Sequence, residues 1–153
     1  MKTQQQITVS EVQLIYKNKV KASDRKKITC SSDAYKIFMD NWNPEIIEFV
    51  EEFKILLMNR ANAVLGILEI SKGGISGTVT DVRVVFQAAI KGNASGIICA
   101  HNHPSSNVKP SESDNKITQK LKEAGILLDI QLLDHLIIST EGDYYSYADN
   151  SLI

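Results

Sequence analysis

Cysteine is scarce in this chain. The two present, Cys30 and Cys99, stand far apart among 153 residues. That excludes a disulfide-stapled scaffold and makes a reducing, cytoplasmic setting the expectation. An excess of charge of one sign is missing as well. Seventeen basic and 18 acidic residues leave a formal net charge of −1. No global field would therefore draw the chain to nucleic acid or to an anionic membrane surface. No apolar run approaches the length of a membrane span, so no membrane partner is expected. Met1 to Gln6 lacks the apolar region of a secretory signal. There is no internal repeat and no low-complexity segment. Histidine numbers only three, and two of the three fall within one short stretch.

What is present is an ordinary globular balance, 43% hydrophobic and 23% charged, on a chain long enough for a substantial core. A single domain over residues 1–153 is expected, with its core at 30–150 and residues 1–29 as an N-terminal strand and basic segment. Ile7 to Lys17 has strand character. Lys17 to Lys27 carries Lys17, Lys19, Lys21, Arg25, Lys26 and Lys27. Such a run can bind phosphate. With Asp24 inside it and no helical register, it reads better as a solvated hairpin or loop.

Ser31 or Ser32 is placed to cap a first helix whose apolar face is Tyr35, Phe38, Met39 and Trp42, ended by Asn43-Pro44. After a linking turn over Glu45 to Val50, Glu51–Met58 and Ala63–Ile70 read as a hairpin, followed by the flexible Ser71–Gly77 loop. Thr80 or Asp81 caps a second helix, with Val82, Val85, Ala88 and Ala89 on one face and Gly92-Asn93 closing it. Ser95–Ala100 is a buried strand, and Ser111–Ala124 a third helix stopped by Gly125. Leu127–Ile130 and Leu132–Ser139 read as later strands, with Tyr144–Tyr147 as a last edge strand. Alternation in the middle and hairpins at both ends predict an α/β sheet of mixed strand direction with helices on its faces.

The two clustered histidines sit where that buried strand ends. His101 and His103 are two apart, so on extended backbone both imidazoles point to one side. Pro104 stops the strand, and a loop to Pro110 leads to Ser111, with Asp114 one helical turn in. Ser-x-x-Asp at a helix start serves by itself as a cap. Joined to His-x-His it offers two imidazoles and a carboxylate, and three N/O ligands with a fourth position open describe a catalytic zinc site. Cys99 alternates in phase with His101, although buried thiols are ordinarily packing. His135, in an apolar strand beside Asp134, reads as a structural group or a support for the ligands.

The pattern His101-Asn102-His103-Pro104, seven residues after the second histidine, and Ser111-x-x-Asp114 resembles the metalloprotease signature of the JAB/MPN (JAMM) domains. His101-Asn102-His103-Pro104-Ser105 and Leu133-Asp134-His135 are similar to the RadC-like branch. The resemblance covers about residues 30–150. Ser106 stands where RadC-like sequences commonly carry Gly, which bears on the conformation of that loop. The resemblance implies a cytidine-deaminase-like fold, a three-layer α-β-α arrangement around a mixed central sheet. It also implies a zinc ion on His101, His103 and Asp114, and the hydroxyl of Ser111 as donor to a developing oxyanion. The family's upstream Glu, followed by Phe and an apolar run, matches Glu52-Phe53-Lys54-Ile55-Leu56-Leu57. Glu52 is thus the expected general base; Glu51, one residue away and so on the other face, is the alternative. Ser71 and the glycines after it are expected near the metal.

The function implied is zinc-dependent hydrolysis of an amide or isopeptide bond in a peptide or protein substrate. Two other readings stay open: a DNA-repair-associated binding module, the family's traditional label, and a metal-stabilised interaction scaffold without catalysis. An acidic pI of about 6.3 lacks the usual basic footprint of a nucleic-acid binder. Longer members of the branch carry a helix-hairpin-helix segment ahead of this domain, for which 153 residues leave no room.

Overall fold

A computed structural model describes residues 9–10, 12–13, 15–74 and 78–153 of the chain. Its elements are α1 (Ser31–Asp40), β1 (Glu52–Met58), β2 (Val64–Lys72), α2 (Val82–Lys91), β3 (Gly96–Asn102), α3 (Glu112–Leu128), β4 (Gln131–Ile138) and β5 (Tyr144–Ser146). The strands form one sheet in the order β2-β1-β3-β4-β5. The β3–β4 pair is parallel and the other three are antiparallel.

The two central strands, β1 and β3, are buried at every position. That is why both read as near-continuous apolar runs rather than as alternating ones. Their residues divide between two cores. Phe53, Ile55, Leu57, Ile97 and Cys99 meet Val85, Phe86, Ala89 and Leu121 of α2 and α3. Leu56, Met58, Ile98 and Ala100 meet Ala34 and Phe38 of α1, with Trp42 just beyond it. The result is the expected α/β architecture of three layers around a mixed sheet.

Several local expectations are corrected. Helix α1 starts one residue earlier than a Ser cap requires. Cys30 occupies the cap position without a side-chain bond. The carboxylate of Asp33 instead accepts from the Thr29 backbone N–H at 2.9 Å and from its hydroxyl at 2.7 Å. Between the two possible caps of α2, Asp81 is the one whose side chain accepts, from the N–H of Arg83. Of the strand expected over Ile7–Lys17, Ile7, Thr8, Glu11 and Leu14 lie outside the described residues, and the described positions form no strand. In the basic run, Lys17, Lys19, Lys21, Lys26 and Lys27 are exposed around a single 3₁₀ turn at Ala22–Asp24, in keeping with a solvated segment.

The largest correction concerns the end of α3. Gly125 does not stop the helix, and Leu127–Ile130 is not a strand. The helix continues to Leu128 and ends at Asp129, which takes the left-handed conformation with φ 54°. The apolar run Ile126–Leu128 is an exposed last turn. Gly125 has a different task, because α3 passes against the start of β4 there. A Cβ at this position would lie 2.4 Å from the carbonyl oxygen of Ile130, a backbone atom that cannot swing aside. Gly125→Ala should therefore lower stability by about 1–3 kcal/mol, the usual cost of overpacking, despite alanine's better helix propensity. Urea unfolding should show the midpoint falling at constant slope. A midpoint at or above that of the parent would mean the contact yields.

Candidate metal centre

Strand β3 ends in the polar pair His101 and Asn102. Alternation sends them to opposite faces, His101 toward α2 and α3 and Asn102 toward α1. His103 follows directly, its backbone N–H bonded to the carbonyl of Ile138 at 3.0 Å. The chain then turns through Ser106, which has φ 60°, a conformation that ordinarily favours glycine. Here a serine holds it. Its N–H reaches the carbonyl of His103 at 2.9 Å, and its hydroxyl contacts Thr140, accepting from that residue's N–H at 3.3 Å. The departure from the family pattern leaves the turn in place.

Helix α3 opens with a complete capping box. The Ser111 hydroxyl accepts from the Asp114 N–H at 3.1 Å, and an Asp114 carboxylate oxygen accepts from the Ser111 N–H at 2.7 Å. The box fixes the Asp114 rotamer and turns its carboxylate toward the end of β3. Oδ1 lies 3.2 Å from His101 Nε2, and Oδ2 lies 3.5 Å from His103 Nε2. The two Nε2 atoms are 3.0 Å apart. One donor atom from each of His101, His103 and Asp114 falls within 4.8 Å of the others, so the group could hold a metal ion.

The donor chemistry fits a cation. His103 Nδ1 is 2.6 Å from the carbonyl oxygen of Asn107, which can only accept, so Nδ1 carries the ring proton and Nε2 offers a lone pair. His101 Nδ1 is likewise occupied, 2.8 Å from His135 Nε2. Burial pushes the Asp114 carboxyl up, but its bonds to His101, His103 and Ser111 outweigh that and hold it far below the usual carboxylate range. His103 is raised, first by the hydrogen bond to Asp114 and against burial, with the Glu51 charge adding to the effect. The site thus concentrates negative potential on atoms that a metal would share.

Around these atoms lies an open cleft of about 550 Å³, lined by Glu51, Phe53, Val79, Ser111, Ser113 and Ile117 together with the three candidate ligands. The half-buried Glu51 is the carboxylate that faces it. Glu52, the expected base, faces the other way. Phe53 pairs with His101 across β1 and β3, so odd-numbered positions of β1 share the face of His101 and Glu52 turns toward α1. There Glu52 is 1% exposed, 3.5 Å from Lys54 Nζ and 3.3 Å from Lys72 Nζ. Lys54 in turn lies over the Trp42 ring at 4.6 Å.

Cys99 packs in the apolar cluster between the sheet and α2–α3. Burial pushes its thiol up, and it stands apart from the ligand set. His135 is fully buried beside His101. Desolvation first, and then the neighbouring His101, hold it well below the ordinary imidazole range. Asp134 turns to the other face, where its carboxylate accepts from Ser146 at 2.6 Å and from the Ala148 N–H at 3.0 Å. Ser71, next to last in β2, has its hydroxyl 3.3 Å from that of Thr80, and Thr80 also lines the cleft. Ile75, Ser76 and Gly77 lie outside the described residues.

One residue escaped notice in the sequence. Asn102 is fully buried. It accepts from the Glu52 N–H at 2.7 Å and donates to the carbonyls of Ile47 and Val50 at 2.7 and 2.9 Å. It pins the segment before β1, and with it Glu51, to the strand that carries His101. Its place between two histidines guarantees that it faces away from them, which is the signal that could have found it.

The comparisons agree with this geometry. Residues 28–152 match the family model described as RadC-like JAB domain. The chain belongs to that family. It is 48% identical over 128 residues to a UPF0758 protein of Flavobacterium johnsoniae, covering 83% of this chain and 54% of that protein. A UPF0758 protein of Porphyromonas gingivalis is 41% identical over 130 residues, 84% of this chain and 56% of the relative. The chain therefore spans about half the length of the relatives it matches. In this RadC-like domain, no helix among the described residues is long and apolar enough to cross a membrane.

Asn102→Ala should leave three buried backbone groups without partners and cost about 1–3 kcal/mol. Ser111→Ala should cost about 1 kcal/mol through the lost cap. Denaturant titration checks both, and an Asn102→Ala protein as stable as its parent would contradict the pinning role.

Proposed function

We propose that this RadC-like domain is a zinc-dependent hydrolase of amide or isopeptide bonds in peptide or protein substrates. The observation that carries the reading is an open cleft holding His101, His103 and Asp114 beside a further carboxylate, Glu51, and the hydroxyl of Ser111 at the start of α3. Two imidazoles and a carboxylate form a donor set suited to zinc with a position left open. When bound there, zinc would polarise a carbonyl and lower the pKa of a water toward about 7.

The rest falls to this chain's own residues. Glu51 takes a proton from the attacking water and passes it to the nitrogen of the leaving amine as the C–N bond breaks and the new C–O bond forms. It suits the task because it faces the cleft without a salt-bridge partner among the described residues. Glu52, by contrast, is held by Lys54 and Lys72. The Ser111 oxygen accepts from the Asp114 N–H and lies 2.9 Å from the Ser113 hydroxyl; with Ser113 donating to it as well, its own proton is available to the oxyanion that develops on the substrate carbonyl. Phe53, Val79 and Ile117 give the cleft an apolar wall for a substrate side chain. Two free cysteines fit a reducing, cytoplasmic setting.

The purified chain should bind about one zinc, and His103→Ala should lose it, as elemental analysis will report. A chelator should leave the far-UV dichroism intact, because the two apolar cores are large enough to hold the fold without a metal. Glu51→Gln should keep its zinc while cleavage of a mixed peptide library falls by about 10²- to 10⁴-fold. Glu52→Gln should instead lower stability with turnover largely preserved, since it opens a buried ion pair. Unchanged turnover in a zinc-loaded Glu51→Gln protein would sink the assignment. No cleavage by the zinc-loaded parent would favour a scaffold.

A further inference from the structure

His135 and Thr118 take no part in the hydrolysis described above, yet they are buried against its ligands. Thr118 is 4% exposed and His135 0%. The His135 ring is wedged between Tyr147, stacked at 5.2 Å, and Phe53, tilted at 5.4 Å. A chain of short hydrogen bonds runs through both residues. Thr118 Oγ1 is 2.7 Å from the backbone carbonyl of Asp114 and 2.7 Å from His135 Nδ1. His135 Nε2 is 2.8 Å from His101 Nδ1.

The direction of this chain follows from counting protons. A carbonyl oxygen has none to give, so the single hydroxyl proton of Thr118 goes to Asp114. The Thr118 oxygen is then an acceptor, and His135 must donate to it from Nδ1. A neutral, fully buried imidazole has only one ring proton, so His135 Nε2 is bare and accepts from His101 Nδ1. His101 has then spent its own proton. Its Nε2, 3.2 Å from Asp114 Oδ1 and 3.0 Å from His103 Nε2, is left with a lone pair directed at the ligand cluster, where it accepts from a proton on His103 Nε2 when no metal is bound. The opposite order would place a proton on His101 Nε2, where a metal needs the lone pair. It would also leave two oxygens 2.7 Å apart at Thr118 and Asp114 with no proton between them.

We propose that Thr118 and His135 are positioning residues that fix the metal-binding tautomer of His101, with the order set by the backbone carbonyl of Asp114. The relay begins and ends at one residue: Asp114 offers its carboxylate to the metal and uses its carbonyl to prepare the neighbouring ligand. The role rests on the reading of the cluster as a metal site, and the experiment separates the two.

In the metal-free parent, two-bond nitrogen–proton correlation spectra of the ¹⁵N-labelled imidazoles should show His135 and His101 both protonated at Nδ1. Zinc affinity, measured by competition with a chromophoric chelator, should fall about 10- to 100-fold in Thr118→Val, the usual effect of losing such a support. Thr118→Ser, which restores the hydroxyl, should stay near the parent. A merely structural Thr118 would not alter the His101 tautomer, whereas the valine variant should mix its two forms. Protonation of His101 at Nε2 in the parent overturns the proposal, as does a Thr118→Val protein with parental zinc affinity. If the valine variant does not fold, the parent's spectrum decides alone. A parent that binds no zinc refutes the hydrolase reading, and the spectrum still decides the relay.

Discussion

The constraint on which the rest of the molecule depends is the burial of β3 on both faces at once. A strand in the middle of a three-layer fold has no solvent side, so each polar group it carries needs a partner inside the protein. β3 ends in two such residues, His101 and Asn102, and alternation sends them apart. The pocket between the sheet and α3 grows up around the first. The pinning of the segment before β1 grows up around the second. His135, His103 and Asp114 surround His101; the backbone of Ile47, Val50 and Glu52 satisfies Asn102.

The candidate ligands were legible in the sequence because every step that places them is local. Two residues along a strand return a side chain to the same face, proline ends the strand, and a capping box orients an aspartate at the next helix. The order and type of the main elements were legible for the same reason, each having its own period and its own punctuation. The glutamate was not. Glu51 and Glu52 are neighbours, and alternation says only that they face opposite ways. Which one meets the cleft depends on the pairing of Phe53 with His101, a contact between segments nearly fifty positions apart in the chain. The end of α3 was illegible for a related reason. Gly125 looks like a helix terminator, and only the approach of Ile130 shows that it is a point of close packing inside the helix.

The face of the sheet opposite the cleft, apolar for most of its area, also carries a charged cluster, and it serves a different end. Glu52, Lys54 and Lys72 share charge there, with the Trp42 ring beneath Lys54. One carboxylate lies between two cations while its sequence neighbour faces the cleft with no salt-bridge partner among the described residues. The same residue type thus has two electrostatic fates one position apart, and the pleat of β1 separates them.

Strand β4 carries a feature whose weight lies in heredity rather than in chemistry. Ile97 pairs with Leu132 and Ile98 with Asp134, so Leu133 is a supernumerary residue in the parallel ladder. Beyond that bulge the strand's inside and outside are exchanged, which is how His135 comes to lie under His101 and Asp134 to face away. Deleting Leu133 would close the ladder with Asp134 still opposite Ile98 and His135 still opposite Cys99, so neither would change sides. The bulge itself can therefore be lost or kept between lineages. What they have to keep is the register from Asp134 onward, because a single-residue slip there would exchange the two faces.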